Sequence, residues 1–186
     1  MNHLFLDTEF TGLHQGTTLI SIALVNGDKQ FYGEFTDYDQ DQVDDWLQEN
    51  VINNLTMGTE PGIIHKDDNK LHIVGDKKAI SNALKEWLFT FPNKMVIISD
   101  CLAYDWMMFC GLFGGGLTIE EEANVSYIPL DICTMMADRG IDPDISREEF
   151  AGFDKNDAKH NCLWDARMIE ACFNKLIRSE RESPLL

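Results

Sequence analysis

The sequence predicts an α/β fold with a mixed central β-sheet flanked by helices. Two observations carry that prediction. Three strand patterns open the chain as a meander, and helix and strand patterns alternate after it. The chain has 186 residues and is 44% apolar and 25% charged, enough for one well-formed core. A single domain over 1–180 is expected, with 181–186 as a C-terminal tail.

The elements follow in order. Leu4, Phe5 and Leu6 are apolar on both faces, as a central strand requires. Residues 18–25 are rich in Ile, Leu and Val. Asn26-Gly27-Asp28 then turns the chain, and 29–35 returns with Phe31, Gly33 and Phe35 alternating with Gln30, Tyr32 and Glu34. Asn-Gly between two such runs signals a hairpin. An acidic helical piece is expected over 43–54, with Trp46, Leu47 and Val51 on one side. The stretch 56–69 is rich in Gly, Pro, Asp and Lys and reads as a loop. Ile80, Leu84, Trp87 and Leu88 set a helix over 77–89. Residues 95–98 form a short apolar run, a buried strand. A helix follows from 103 to about 113, closed by Gly114-Gly115-Gly116. A short strand at 127–128, a helix over 130–137 and a last long helix over about 161–179 complete the pattern.

Charge and composition exclude several classes. Fifteen Lys and Arg stand against 32 Asp and Glu, a net charge of −17. A broad basic face for coating duplex nucleic acid is excluded, but an enzyme that meets polyanions through bound cations is not. No apolar run approaches 18 residues, so no membrane association is expected. The first residues lack a basic region and reach an acid at Asp7, unlike a signal peptide. The cysteines Cys101, Cys110, Cys133, Cys162 and Cys172 form no CxxC pair. They read as reduced, buried thiols of a cytoplasmic protein rather than zinc ligands or disulfides.

Four carboxylates stand where burial is expected. Asp7 and Glu9, two apart on the first strand, share a face with Phe5, roughly 7 Å apart along the chain. If the strand instead ends at Leu6, both are solvated. Asp105 leads Met108, Phe109 and Leu112 at i+3, i+4 and i+7, which puts it on the apolar stripe of its helix. A dipole-favoured N-terminal acid explains its place along the helix but not its face. Asp100, directly after the strand, reads as a loop or capping acid. Asp165 begins the stripe of Ile169, Cys172, Phe173 and Leu176. Five residues earlier His160 ends the polar run 154–160, either reaching in from that loop or lying on the surface. Hard oxygen ligands of this kind suit Mg²⁺ or Mn²⁺. Four of them can hold two ions about 4 Å apart, the arrangement used for in-line displacement at phosphate. A histidine beside them can take a proton from water.

These residues resemble the DEDDh branch of the DEDD 3′→5′ exonucleases. Asp7-Thr8-Glu9-Phe10-Thr11-Gly12-Leu13 matches the first motif, with Phe10 where Thr is common. Tyr104-Asp105 matches the second, with Asp100 where Asn is common. His160-Asn161-Cys162-Leu163-Trp164-Asp165 matches the H-x-x-x-x-D motif. The opening Asp-Thr-Glu-Phe-Thr-Gly, the Leu-Ile-Ser-Ile strand and the Tyr-Asp-Trp run are most similar to the compact mycobacterial AS-type exoribonucleases and their phage and prophage relatives. The resemblance implies a ribonuclease H-like fold. It implies two Mg²⁺ or Mn²⁺ ions on Asp7, Glu9, Asp105 and Asp165, with His160 as general base. It also implies Phe10, Thr11 and Leu13 as substrate-binding residues. The implied substrate is single-stranded or 3′-overhang nucleic acid, with RNA favoured and DNA the alternative, and many relatives are homodimers. A non-catalytic interaction module on the same fold is the contrasting expectation.

Overall fold

The structure is a computed structural model that describes residues 2–153 and 160–182. The strands are β1 (His3–Phe10), β2 (Leu19–Asn26), β3 (Lys29–Phe35), β4 (Gly62–Lys66), β5 (Lys70–Gly75), β6 (Val96–Ser99) and β7 (Leu130–Asp131). The helices are α1 (Asp45–Asn50), α2 (Lys77–Leu88), α3 (Ala103–Gly111), α4 (Ile119–Ala123), α5 (Ile132–Asp138), α6 (Arg147–Ala151) and α7 (Cys162–Glu182). Short 3₁₀ turns lie at Gln40–Gln42 and Ile52–Asn54. The expected α/β class is what is found: one seven-stranded mixed sheet in the order β4-β5-β3-β2-β1-β6-β7, flanked by helices.

Strand β1 lies inside the sheet, antiparallel to β2 and parallel to β6. β2 and β3 are antiparallel, β3 and β5 parallel, and β6 and β7 parallel. The β2–β3 hairpin closes with Asn26 opposite Lys29, and Gly27 takes φ +59°, a conformation that favours glycine at a two-residue turn. Side chains alternate across β1. Leu4 and Leu6 join the core layer that also holds Ile80, Leu84 and Phe109 of α2 and α3. Phe5 joins the opposite layer, with Ile132 and Met136 of α5 and Ala166, Ile169, Cys172 and Phe173 of α7. Asp44, Asp76, Asp131 and Ser146 cap the N-termini of α1, α2, α5 and α6 by accepting backbone N–H bonds.

Several expectations are corrected. β1 does not end at Leu6 but continues to Phe10, held by pairing with β2 along its length. The stretch 56–69 is not all loop, because it contains β4. All five β4 residues are exposed, so it has no burial pattern to read, and it forms by pairing with β5 across a register shift at Ile63/His65. The helix expected over 43–54 divides into α1 and a 3₁₀ turn. No strand forms at 127–128, where both side chains are exposed; Val125 makes the bridge, to Met95. Leu130 and Asp131 belong to β7 rather than to the helix, which starts at Ile132. β3 does not alternate in exposure: Gln30, Tyr32 and Glu34 are buried along with Phe31 and Phe35. α7 runs to Glu182, past the expected start of the tail, and 183–186 lie outside the described residues. Among the described residues no helix is long and apolar enough to cross a membrane.

Buried Glu34 acts as a clamp. Its carboxylate accepts from the Tyr32 hydroxyl at 2.6 Å and from the N–H groups of Thr56 and Met57 at 2.8 and 3.3 Å. This fixes the chain just beyond Asn54, whose carbonyl accepts from the Asn161 side chain at the start of α7. Glu34→Ala leaves these donors without their acceptor and is expected to cost on the order of 3 kcal/mol in denaturant unfolding, with Glu34→Gln costing less. An alanine variant within about 0.5 kcal/mol of wild type would contradict the clamp.

Candidate active site

The carboxyl end of β1 brings Asp7 and Glu9 to the side of the sheet covered by α7, because side chains two apart on a strand share a face. The first turn of α7 brings Asp165 to the same point. Asp7, Glu9 and Asp165 each place a carboxylate oxygen so that all three lie within 4.8 Å of one another. At that separation and an effective dielectric of about 20, each ionised pair repels by about 3 kcal/mol.

Asp105 comes from α3, across β1. It is buried, and its Oδ1 accepts from the Thr8 N–H at 3.0 Å and from the Thr8 hydroxyl at 2.6 Å. Thr8 therefore seats Asp105 at the edge of the group rather than inside the 4.8 Å triad. Its charge is still felt there. Burial pushes the Asp7 carboxyl well above the ordinary carboxylate range, and Asp105, Asp165 and Glu9 push it further. Burial and the charges of Asp165 and Asp105 raise Glu9 to about 8. Burial raises Asp105 to about 6, with the Thr8 bonds pulling the other way. The helix-dipole reading of Asp105 does not account for this burial or for the Thr8 bonds.

His160 precedes α7 with φ +64°, a left-handed conformation seldom taken by a side-chain-bearing residue. Its N–H donates to Asp165 Oδ2 at 3.1 Å, so the histidine and the acid of the H-x-x-x-x-D pattern are joined directly. The ring packs edge-on against Trp46 of α1, with centroids 5.2 Å apart. The remainder of the polar run, 154–159, lies outside the described residues.

Two connected hollows share Asp7, Asp100, Cys101, His160 and Asp165. The smaller, about 230 Å³, is also lined by Glu9, Phe10, Leu13, Tyr104 and Asp105. Phe10 stacks on Tyr104 at 5.6 Å and 21°, and Leu13 is 74% exposed beside them. Thr11 is different. It is buried, and its hydroxyl donates to Gln42 Oε1 at 2.5 Å and accepts from the Thr18 N–H at 2.9 Å. It anchors the base of the 12–17 loop and, unlike Phe10 and Leu13, lines neither hollow.

The larger hollow, about 420 Å³, extends towards Ser146, Arg147 and Glu148. Asp100 lies in the loop after β6, as expected, but it does not cap α3. Arg147 grips it with Nε at 2.6 Å and NH2 at 2.8 Å, and the same guanidinium donates to the Ile145 and Pro143 carbonyls. Nothing in the sequence brings these residues together, since 47 positions separate them. Cys110, Cys162 and Cys172 are buried as expected, but Cys101 is exposed and Cys133 only half-buried. No protein-family model matches the chain, and no curated protein sequence matches it.

The close group offers only carboxylate oxygens, the donor set of Mg²⁺ or Mn²⁺, and a divalent charge offsets the burial and repulsion that raise Asp7 and Glu9. Without metal, a carboxyl whose folded-state pKa is raised loses stability as pH rises from its ordinary value to the folded one. For Glu9 that window runs from 4.5 to about 8. His3 and His72, lowered mainly by burial, act in the opposite sense below pH 6.5. Comparison with Glu9→Gln cancels their share. Metal-free Glu9→Gln is expected to melt close to wild type near pH 4.5 and well above it at pH 8.5, a gain on the order of a few kcal/mol. Mg²⁺ is expected to raise wild type more than the variant. Parallel melting curves across this range would contradict the electrostatic account.

Proposed function

We propose that the chain is a metal-dependent 3′→5′ exonuclease that hydrolyses phosphodiester bonds from the 3′ end and releases 5′-mononucleotides, with RNA favoured. The observation that carries this reading is the convergence of Asp7, Glu9 and Asp165 within 4.8 Å, with Asp105 at their edge and His160 joined to Asp165. A ribonuclease H-like fold agrees with the order β3-β2-β1-β6-β7, in which only β2 runs against the others. The 3′ direction rests on the resemblance of the three motifs, and the preference for RNA on the similarity of the Asp-Thr-Glu-Phe-Thr-Gly, Leu-Ile-Ser-Ile and Tyr-Asp-Trp runs to the mycobacterial AS-type exoribonucleases.

In this reading Asp7, Glu9, Asp105 and Asp165 would hold two Mg²⁺ or Mn²⁺ ions. When bound, such ions supply Lewis-acid activation of water and stabilise charge developing at phosphate. Thr8 orients Asp105, and the sheet fixes Asp7 and Glu9, so the carboxylates need little rearrangement on binding. His160 takes the proton of the attacking water on a ring nitrogen, while its backbone bond to Asp165 and the Trp46 contact keep the ring at the cleft. Phe10, stacked on Tyr104, and exposed Leu13 offer an apolar seat for the terminal base. The −17 chain repels a polyanion, and cations held by the four acids would locally reverse that field.

The test is an assay on 5′-labelled single-stranded oligonucleotides. With Mg²⁺ or Mn²⁺, RNA is expected to shorten stepwise from its 3′ end, faster than DNA, and to stop when EDTA is added. A 3′-phosphate is expected to block it. His160→Ala is expected to lower turnover by about 10²–10⁴ while Mn²⁺ binding is retained. Cleavage of circular RNA, degradation from the 5′ end or activity surviving EDTA would overturn the assignment.

A further inference from the structure

Outside the carboxylate group, a pair of thiols meets at the rim of the cleft. Cys101 follows β6 and lines both hollows, and its thiol is exposed. Cys133 lies on the first turn of α5. Their sulfurs are 3.8 Å apart, although 32 positions separate the residues. The backbone around them is tied: the Leu102 N–H donates to Asp131 Oδ2 at 3.0 Å, and Asp131 is the N-cap of α5. The chain on either side of the pair is thus fastened within two residues of each sulfur. Cys101 has φ +50°, so its backbone is held in a left-handed conformation that places the side chain towards α5.

We propose that Cys101 and Cys133 form an oxidisable dithiol, a modification site that reacts with peroxides and closes to a disulfide beside the active-site cleft. Closure brings the sulfurs from 3.8 Å to about 2.05 Å, a movement of less than 2 Å. A thiophilic cation is disfavoured at the same spot. Asp100, Cys101 and Cys133 do place ligand atoms within 4.8 Å of one another. The Arg147 guanidinium, however, donates to both Asp100 oxygens and to Cys133 Sγ at 3.1 Å, putting a fixed positive charge where the cation would sit. Burial and the Asp100 carboxylate push the Cys133 thiol up to about 12, with Arg147 pulling the other way, so the exposed Cys101 is the sulfur that meets an oxidant first.

The chemistry proceeds in two steps. The exposed Cys101 thiolate attacks a peroxide oxygen; an S–O bond forms, the O–O bond breaks, and hydroxide leaves and takes a proton as water. The sulfur is oxidised by two electrons to a sulfenic acid. Cys133 then attacks the Cys101 sulfur; the S–S bond forms and the S–O bond breaks. The Cys133 proton passes to Asp100, which already accepts it across 2.9 Å, and then to the departing hydroxide as a second water. Two thiols and one hydrogen peroxide give one disulfide and two waters.

Closure has a consequence for the cleft. It removes the Cys133 bond to Asp100 and draws on the loop that leads into α3, which carries Asp105. Displacement of a reacting group by about 1 Å costs roughly 10²-fold in rate. The effect on turnover rests on the exonuclease reading, whereas the oxidation chemistry does not.

The experiment treats the reduced, full-length chain with hydrogen peroxide, blocks remaining thiols with N-ethylmaleimide, and maps the products by intact and peptide mass. The expected product is a monomer lighter by two hydrogens, with the Cys101 peptide joined to the Cys133 peptide. Cys110, Cys162 and Cys172, which are buried, are expected to be alkylated only after denaturation. Dithiothreitol is expected to reverse the link, and Cys133→Ser is expected to accumulate a dimedone-reactive Cys101 instead. Cys101 over-oxidised or bridged between chains in wild type, with Cys133 still free, would overturn the dithiol. So would one equivalent of Zn²⁺ bound by the pair that protects both thiols. In the nuclease assay, oxidised wild type is expected to lose at least tenfold and to recover on reduction, while untreated Cys133→Ser keeps wild-type turnover. A mapped disulfide with unchanged turnover would overturn its control of the cleft. A mapped disulfide on a chain with no nuclease activity when reduced would count against the exonuclease reading alone.

Discussion

Mutual repulsion among half-buried carboxylates at the end of β1 is the constraint on which the site depends. Asp7, Glu9 and Asp165 hold oxygens within 4.8 Å of one another, and Asp105 adds its charge from α3. Water cannot solvate these groups fully, and among the described residues no lysine or arginine lines the smaller hollow. Arg147, at the larger hollow, is already committed to Asp100. A divalent cation is the partner that matches the donors, the charge and the space.

The fold makes such an arrangement tolerable. β1 is paired with β6 through Phe5 and with β2 through Asp7 and Glu9, so these acids cannot swing apart without breaking their pairing to a strand buried on both faces. α7 packs its apolar stripe against one face and delivers Asp165 from its first turn. α3 packs on the other and delivers Asp105, which Thr8 of β1 then catches by two hydrogen bonds. One strand thus organises acids that reach the cleft from both sides of the sheet. His160 completes the rim because its left-handed backbone turns its N–H onto Asp165.

Much of this was legible in the sequence because it follows from periodicity. Leu4, Phe5 and Leu6 of β1 are apolar on both faces, so its central place could be read directly. Asp105 and Asp165 each head a helical apolar stripe, and that pattern alone marked them as inward-facing. Other features left no such trace. β4 is exposed along its whole length and exists only because β5 offers a partner. α4 and α6 have five residues each, too few to show a helical period. The sequence of the motif does not show that the Thr11 hydroxyl is buried and braces its own loop. Asp100 with Arg147, and Cys101 with Cys133, meet only through tertiary folding across 47 and 32 positions.

The central claim is that the carboxylates form a divalent-cation site even without nucleic acid. Titration of the metal-free chain with Mn²⁺, followed by the loss of the free-ion electron paramagnetic resonance signal, tests it most directly. The account predicts saturable uptake approaching two ions per chain by wild type, accompanied by a rise in melting temperature. It predicts marked weakening of that uptake in Asp7→Asn and Asp165→Asn, both of which remain folded. Uptake by these variants equal to that of wild type, or none by wild type at millimolar Mn²⁺, would contradict it.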